Sequence, residues 1–417
     1  MGKVATLVLA ILLLGNATTR ADDFSDEMRL RDAVTRLRQI GEDAVAHGQH
    51  YPVVELLTMG VGSLMWERHG HIALCIAEEH PRADRCYNYG IGDFAHPLGM
   101  AVGFFRGTNS FYVGSEPPVN LLWVYLHFDR TVWVQPLPLD DAQKQQVIAK
   151  LESDDTDQHR YYAYDHFWDN CTTRVRNILD DATNHALSTM QEPSDGKTYR
   201  DLAREGFYGV GHYVPLIITD LAMGRVTDRV PSYWERMFLP DYLREAVQKK
   251  WGVTPIPIYV RSQCVASKAA GCAERGAPYE NPASGRLWFI LITLLLTAPA
   301  WATRLWGRLQ KTGMAIAVIP YVFLGTIFWF LAIISPLQYV RWNESCLVFL
   351  PLDLVLVWFL SDERRRLYAK GRLAMLALLA ILMLAGVLRQ PIMYALVWPL
   401  VPNAVAAFMP IRTTMKR

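Results

Sequence analysis

The sequence lacks several features that would assign it to common functional classes. Its 42 basic and 40 acidic residues leave a formal net charge of only +2, so nothing indicates a nucleic-acid partner. It has no glycine-rich nucleotide-binding loop and no internal repeat, and its histidines do not show the His-Glu-x-x-His spacing of a zinc-binding helix. We therefore expect neither a cofactor nor a metal.

Hydropathy is distributed unevenly along the chain. Residues 22–250 have the composition of a globular domain, 251–285 resemble a linker, and 286–417 are dominated by apolar runs, which predicts a membrane domain. The apolar runs predict about five spans, at 287–303, 313–334, 346–360, 373–388 and 391–410. Asp353 falls inside the third span, where it would line a polar cavity or lie near an interface.

The chain begins with features of export. Lys3 precedes an apolar run too short for a stable span, so residues 1–21 predict a secretory signal peptide, with an uncleaved anchor as the alternative. Basic residues concentrate in alternate loops of the membrane domain. The positive-inside rule then places the C-terminus in the cytoplasm and the globular domain on the opposite side.

Six cysteines allow 15 pairings if all are oxidised. Cys75 and Cys86 lie on neighbouring predicted strands, and Cys264 and Cys272 bracket a short loop, so both pairs are reasonable disulfides in an oxidising compartment. Cys346 lies at a membrane edge. Cys171 then remains as the unpaired thiol of the globular domain.

The globular domain mixes helices and strands that are segregated along the chain. Residues 26–46 have helical spacing, and Asp140-Asp141 caps a helix through Leu151. Gly, Pro and Asn bound a run of β-type segments that includes 55–62, 71–77, 86–90, 121–128 and 131–135. This segregation predicts an α+β fold rather than a doubly wound sheet.

Cys171 directly precedes a helical pattern in which Val175, Ile178, Leu179 and Ala182 form one apolar face. Asp169 or Asn170 can cap this helix, which places the sulfur at its positive end and favours a nucleophilic thiolate. His71, far upstream, is the best candidate for the base. The alternative is a buried structural cysteine.

Several motifs resemble the Lnb N-terminal periplasmic domain over most of residues 50–245. The block Asp169-Asn170-Cys171-Thr172-Thr173-Arg174 is the most specific of them. The others are Asp165, Phe167 and Trp168 just before it, Gly70-His71, Ala73-Leu74, Tyr87-Asn88-Tyr89-Gly90, Phe105-Arg106-Gly107 and Leu239-Pro240-Asp241-Tyr242-Leu243. The apolar tail, with Trp342-Asn343 and Leu350-Pro351-Leu352, resembles the Lnb membrane region more loosely.

The resemblance implies a circularly permuted papain-like (NlpC-type) fold, because in permuted members the His precedes the Cys, as His71 precedes Cys171. It also implies a bacterial lipoprotein N-acyltransferase of the inner membrane, with its catalytic domain on the periplasmic face. Cys171 would take an acyl chain from a phospholipid donor and pass it to the α-amine of a diacylglyceryl-cysteine lipoprotein acceptor.

The same resemblance suggests roles for neighbouring residues. His71 would act as the base, and Asn88 would orient its ring. Asn170 or the backbone N–H groups at the helix start would form the oxyanion hole, with Asp169 beside them. Arg174 would bind a phosphate or carboxylate, or else form an exposed salt bridge.

Two other functional classes remain open from the sequence. One is an envelope thiol hydrolase or amidase that acts on lipid or peptide bonds with water as acceptor. The other is a non-catalytic envelope module with a structural Cys171. The fold alone does not decide among them.

Overall fold

The structure is a computed structural model that describes residues 23–62, 64, 67–92, 99, 102–103, 106–108, 110–192, 196–205, 213–262 and 282–410. The expected signal peptide and the expected Cys264–Cys272 disulfide lie outside these residues. The chain divides into two compact units. The first comprises residues 1–100, 109–196 and 231–278, and the second comprises 101–108, 197–230 and 279–417.

The strands are β1 Val53–Met59, β2 His71–Ala77, β3 Arg85–Ile91, β4 Ser110–Glu116, β5 Val132–Pro136, β6 Tyr161–Ala163 and β7 Ile256–Tyr259. The α-helices are α1 Asp23–Ala46, α2 Pro118–His127, α3 Asp141–Asp154, α4 Cys171–Ala182, α5 Tyr199–Glu205, α6 Tyr213–Ala222, α7 Tyr233–Arg236, α8 Pro240–Trp251, α9 Pro282–Trp306, α10 Gln310–Ile334, α11 Gln338–Arg341, α12 Ser345–Val348, α13 Asp362–Leu384 and α14 Val397–Phe408. Short 3-10 helices lie at Pro81–Ala83, Arg225–Asp228, Pro351–Leu356 and Met393–Leu396.

The first unit is built on one seven-stranded sheet with the strand order β6-β4-β3-β2-β1-β5-β7. All its strand pairs are antiparallel. The sheet confirms that the domain is not doubly wound. The edge strand β7 comes from the segment that the sequence predicted as a linker, and it pairs with β5.

Helices cover both faces of this sheet. On one face, Leu56 and Leu74 pack in a core that includes Val175 and Leu179 of α4. On the other face, the strand residues Leu57 and Ala73 pack with Ala33 and Leu37 of α1 and with Leu122 of α2. Because both faces are covered, every residue of β1 is buried.

Two predictions about this sheet have clear outcomes. Cys75 and Cys86 are directly opposite each other on β2 and β3 and form the expected disulfide. The strand predicted at residues 121–128 is wrong, because this segment lies in helix α2. Pro118 suits the first turn of a helix, and the buried Leu121, Leu122, Tyr125 and Leu126 follow helical spacing.

The second unit contains three helices long and apolar enough to cross a membrane, at Gly285–Trp306, Gln310–Ile334 and Asp362–Leu384, among the described residues. The prediction of five spans is therefore wrong. The expected third span is broken into α12 and a 3-10 helix that starts at Pro351. The expected fifth span contains only a shorter apolar segment, Met393–Phe408. Proline cannot supply the backbone N–H that a continuous helix needs, which explains the break at Pro351.

Asp353 is part of a buried ion pair in the second unit. Its carboxylate lies 3.1 Å from Nε of Arg372 and accepts a 2.6 Å hydrogen bond from the Tyr368 hydroxyl. Arg372 also donates to the carbonyl oxygens of Leu347 and Val348 at the end of α12. These carbonyls have no helical partner beyond the break, so Arg372 satisfies groups that would otherwise be costly to bury.

Glu55 on β1 predicts how stability depends on pH. It is 1 % exposed, its Oε1 has no partner among the described groups, and burial raises the pKa of its carboxyl to about 8. Between the ordinary value of 4.5 and about 8, the folded protein keeps a proton that the unfolded chain releases. The free energy of unfolding should therefore fall as pH rises through this window, by up to about 1.4 kcal/mol per pH unit.

Glu55→Gln removes this ionisation, so its melting temperature relative to that of the wild type should increase from pH 5 to pH 8. Thermal unfolding of the detergent-solubilised protein at several pH values measures this difference. Glu42→Gln, at an exposed position of α1, serves as the control and should leave the difference constant. A constant difference for Glu55→Gln as well would contradict a raised pKa at Glu55.

Candidate active site

The site is organised around the start of helix α4, where Cys171 is the first helical residue. Asn170 caps the helix: its side-chain oxygen accepts the N–H groups of Thr172 at 2.8 Å and Thr173 at 2.9 Å. Thr173 returns the contact by accepting the Asn170 N–H at 2.8 Å. This capping box holds the Cys171 side chain at the positive end of the helix dipole, where a thiolate is favoured.

Asn170 uses its whole side chain to hold the helix start. Its amide nitrogen donates to the carbonyl oxygens of His166 at 2.6 Å and Phe238 at 3.0 Å. Both amide protons of Asn170 are therefore already engaged. The other candidate oxyanion donor is the backbone N–H at the start of the helix. The Cys171 N–H has no acceptor among the described residues and lies at the first position of the helix.

Asp169 and Arg174 pair with each other beside this helix start. Arg174 donates from Nε and Nη2 to the two carboxylate oxygens of Asp169, at 2.7 Å and 2.9 Å. The guanidinium carbon also lies 3.7 Å from the ring centroid of Tyr162. Arg174 is thus engaged in a salt bridge, one of the two roles that the sequence left open.

The sheet brings His71 and Asn88 together, because they lie on the neighbouring strands β2 and β3. Nε2 of His71 lies 2.5 Å from Oδ1 of Asn88. A carbonyl oxygen only accepts hydrogen bonds, so Nε2 carries the proton of this contact. Nδ1 is then the ring nitrogen that remains for Cys171, and Asn88 holds the imidazole in the tautomer that a base requires.

His71 and Cys171 interact electrostatically, and the charge of each supports the charge of the other. Burial opposes ionisation of the thiol, but the charge of His71 and hydrogen bonds with His71, with Thr172 and with the Ile72 backbone lower the pKa of Cys171. Burial also opposes protonation of His71, but the Cys171 charge and the bonds to Cys171 and Asn88 raise the pKa of its imidazole. Both shifts favour the charged forms, so a thiolate beside an imidazolium is more stable here than either charge would be alone.

His69 differs from His71 in its electrostatic environment. It faces His166, with 5.0 Å between the ring centroids. Burial lowers the pKa of His166 to about 4 and, together with the charge of His166, lowers the pKa of His69 well below its usual value. Both rings are thus neutral at pH 7. This leaves His71 as the histidine that can exchange a proton with the sulfur.

Two tyrosines of the site were not singled out in the sequence. Tyr125 of α2 stacks on His71, with ring centroids 5.9 Å apart and planes 18° from parallel. Tyr162 of β6 is buried, and its hydroxyl has no hydrogen-bond partner among the described residues. Both sit on elements far from the Cys and His motifs in sequence, so only their tertiary placement reveals them.

Gly90 lies between the nucleophile and Tyr162. Its φ of +86° suits glycine, and a Cβ there would lie 3.5 Å from the Cys171 Cβ and 3.7 Å from the Tyr162 hydroxyl. Burial, with a contribution from the Cys171 charge, raises the pKa of Tyr162. The phenol therefore keeps its proton and can donate a hydrogen bond to a group bound beside Gly90.

A group of possible metal ligands lies elsewhere in the described part of the chain, at Asp180, Asp181 and His185. Its central carboxylate already has partners. Asp180 accepts the N–H groups of Leu187 at 2.9 Å and Ser188 at 2.8 Å, and His185 lies 3.1 Å from its other oxygen. These contacts stabilise the turn after α4.

Comparison with known families gives one match. Residues 47–205 match the family model of the Lnb N-terminal periplasmic domain. This segment of the chain is therefore identified as an Lnb-type periplasmic domain. This confirms the resemblance drawn from the sequence, and the match includes Cys171, His71, Asn88 and Tyr162. No curated protein and no solved structure matches the chain. With its long apolar helices, the chain is a membrane protein with a periplasmic domain.

The Cys171–His71 pair in the Lnb domain predicts the reactivity of the thiol. Iodoacetamide should modify Cys171 with an apparent pKa below that of an ordinary thiol. In His71→Ala, burial is no longer opposed, so the apparent pKa should rise by at least about two units. The measurement is the pH dependence of Cys171 modification, followed by mass spectrometry of its peptide in a Cys346→Ala background.

His69→Ala is the matched control, since His69 is a neighbouring histidine that is neutral at pH 7. It should leave the apparent pKa of Cys171 close to the wild-type value. An equal shift in both variants, or none in His71→Ala, would show that His71 does not ionise the thiol.

Proposed function

We propose that this protein is a lipoprotein N-acyltransferase of the bacterial inner membrane that uses Cys171 as its nucleophile. The observation that carries the proposal is the electrostatic pair of Cys171 and His71, with His71 hydrogen-bonded to Asn88, inside the segment that matches the Lnb periplasmic domain. The acyl donor is a membrane phospholipid, and the acceptor is the α-amine of a diacylglyceryl-cysteine lipoprotein. The order of His71 before Cys171 accords with a circularly permuted papain-like domain.

In the first half-reaction, the Cys171 thiolate attacks the ester carbonyl carbon of the phospholipid. A C–S bond forms, and the carbonyl oxygen becomes an oxyanion. When the tetrahedral intermediate collapses, the C–O ester bond breaks and the imidazolium of His71 protonates the departing alkoxide. The products are a lysophospholipid and an S-acyl Cys171, with His71 left neutral.

The oxyanion would be stabilised by two donors that have no other acceptor among the described residues. One is the Cys171 N–H at the first position of α4. The other is the Tyr162 hydroxyl, which lies near Gly90 as the Cys171 Cβ does. Both donors are in place before the reaction. Fixed donors in a buried site stabilise developing charge more strongly than water does.

In the second half-reaction, the lipoprotein amine attacks the thioester carbonyl. Nδ1 of His71 takes the proton that the amine loses, the C–S bond breaks, and the thiolate returns beside an imidazolium. An amide has formed, and the enzyme has recovered its starting charges. Since one nucleophile serves both steps, the two lipid substrates can use the same site in turn.

Transfer rather than hydrolysis is supported by the burial of the nucleophile. Cys171 is only 7 % exposed, which restricts the access of water to a thioester at this position. The long apolar helices keep the chain in a bilayer, where both proposed substrates reside. A lipid amine can therefore compete with water for the S-acyl intermediate.

The central test is mass spectrometry of a lipoprotein N-terminal peptide from cells that lack other N-acyltransferases. The wild type should produce the triacylated peptide, and Cys171→Ala should leave the peptide diacylated because no thioester can form. Cys346→Ala is the matched control, since Cys346 is the other free buried cysteine among the described residues. This control should support triacylation as the wild type does.

Two other outcomes would contradict the proposal. Triacylation that persists in Cys171→Ala would exclude the thioester route. A peptide that stays diacylated in all strains, together with Cys171-dependent release of free fatty acid from phospholipid, would identify a hydrolase instead.

The proposed oxyanion donor gives a second test. Tyr162→Phe removes only the hydroxyl, so purified protein should transfer the acyl chain on the order of 10²-fold more slowly. Tyr161→Phe is the matched control, because Tyr161 is the adjacent residue on β6 and is 60 % exposed. Equal rates for the two variants, measured as triacylated peptide formed per unit time, would exclude Tyr162 as an oxyanion donor.

A further inference from the structure

Arg130 is a buried cation close to the Cys171–His71 pair that the mechanism above does not use. It lies in the turn between α2 and β5 and is 4 % exposed. A guanidinium this deeply buried is costly unless its contacts compensate for lost hydration. Its contacts are therefore informative about its role.

The first set of contacts holds the segment that leads into β2. Nε of Arg130 donates to the Gly60 carbonyl at 2.8 Å, and Nη1 lies 3.6 Å from the Glu67 carboxylate. The Glu67 carbonyl in turn accepts the N–H groups of Gly62 at 2.9 Å and Gly70 at 3.0 Å. Arg130 thus contacts both ends of residues 60–67, shortly before His71.

The second set of contacts reaches the imidazole through Tyr125. The Arg130 N–H donates to the Tyr125 carbonyl at 2.9 Å, and the guanidinium carbon lies 4.7 Å from the centroid of the Tyr125 ring. The same ring stacks on His71. A cation held against an aromatic ring stabilises its position, so Arg130 contributes to fixing the ring that supports His71.

We propose that Arg130 is a positioning residue of the active site, which holds Tyr125, Gly60 and Glu67 so that His71 keeps its place between Asn88 and Cys171. It acts through Tyr125 and the backbone and need not touch the substrate. The inference rests on Cys171 and His71 as the reactive pair, but not on the identity of the acyl acceptor.

The charge of Arg130 also acts on this pair. It opposes the rise in the pKa of His71, and the Cys171 charge raises the pKa of Arg130, so the cation and the thiolate attract each other. The other titratable or charged groups around Arg130 and the pair are Tyr125, Tyr162, Glu67, Glu116, Arg174 and Arg261. Loss of the Arg130 charge should therefore move both ionisations to higher pH.

The test measures how fast iodoacetate alkylates Cys171 as a function of pH, in the full-length protein in detergent. A thiolate beside an imidazolium gives a bell-shaped profile: the acid limb reports the thiol and the alkaline limb reports His71. Arg130→Gln should move both limbs to higher pH by about half a unit to one unit. Arg130→Lys keeps the charge, so its limbs should stay near the wild-type positions.

Arg130→Lys should still lower the maximal alkylation rate, by about tenfold, because a lysine cannot maintain the contacts with Gly60, Glu67 and Tyr125 together. This variant also keeps the test decisive if Arg130→Gln does not fold. A merely structural role would reduce the amount of folded protein without moving the limbs. Melting curves of each variant separate these effects.

Arg38→Gln is a matched control. Arg38 is likewise mostly buried, donates to the carbonyl oxygens of Glu78 and Glu79, pairs with Asp84, and lies over the Tyr51 ring at 5.1 Å. Because Arg38 lies on α1 and its partners lie beyond the end of β2 opposite to His71, Arg38→Gln should leave the alkylation profile unchanged.

The proposal is overturned if Arg130→Gln leaves both limbs at their wild-type positions, or if Arg130→Lys alkylates at the wild-type maximal rate. The assay requires no lipoprotein, so its result is independent of the acyltransferase proposal. Shifted limbs in a protein that fails to triacylate lipoproteins would support the role of Arg130 and refute only the proposed reaction.

Discussion

The site depends on the interactions that favour the ionised form of a buried thiol. Burial alone favours the neutral form of Cys171, and the start of helix α4 contributes only its dipole and the Cys171 N–H. The charge of His71 supplies the larger stabilisation, but an imidazolium is itself disfavoured by burial. Each charge is therefore stable only beside the other, and Asn88 and Tyr125 matter because they hold the two groups together.

This mutual dependence suits acyl transfer from lipids. An exposed thiolate would be easier to maintain but would also admit water, which hydrolyses thioesters. In this domain the nucleophile is buried between the sheet and helix α4, and Gly90, which has no side chain, lies directly beside it. The acyl carbonyl can then meet the Cys171 N–H and the Tyr162 hydroxyl in a setting of low polarity, where both donors are most effective.

Buried charges also organise the second unit. Asp220 of α6 pairs with Arg204 of α5 and with Arg286 near the start of α9, and it accepts a hydrogen bond from Tyr394. These contacts explain why residues 197–230 belong to the same compact unit as the apolar helices. Removing one partner of such a pair strongly destabilises the folded protein, because the remaining charge stays buried without compensation.

The amino-acid sequence determined the local features of this protein. Helical spacing and the Asp169-Asn170 pair predicted that α4 starts at Cys171, alternation predicted β2 at His71–Ala77, and the motif around Cys171 identified the Lnb domain. Local patterns could not decide whether an apolar run forms a strand or a helix, as the helix at Pro118–His127 shows. They also could not decide whether an apolar run forms one continuous membrane-spanning helix. The placement of Tyr125, Tyr162 and Arg130 around the thiol was decided only by the tertiary structure, because strand pairing and packing over long sequence distances set those contacts.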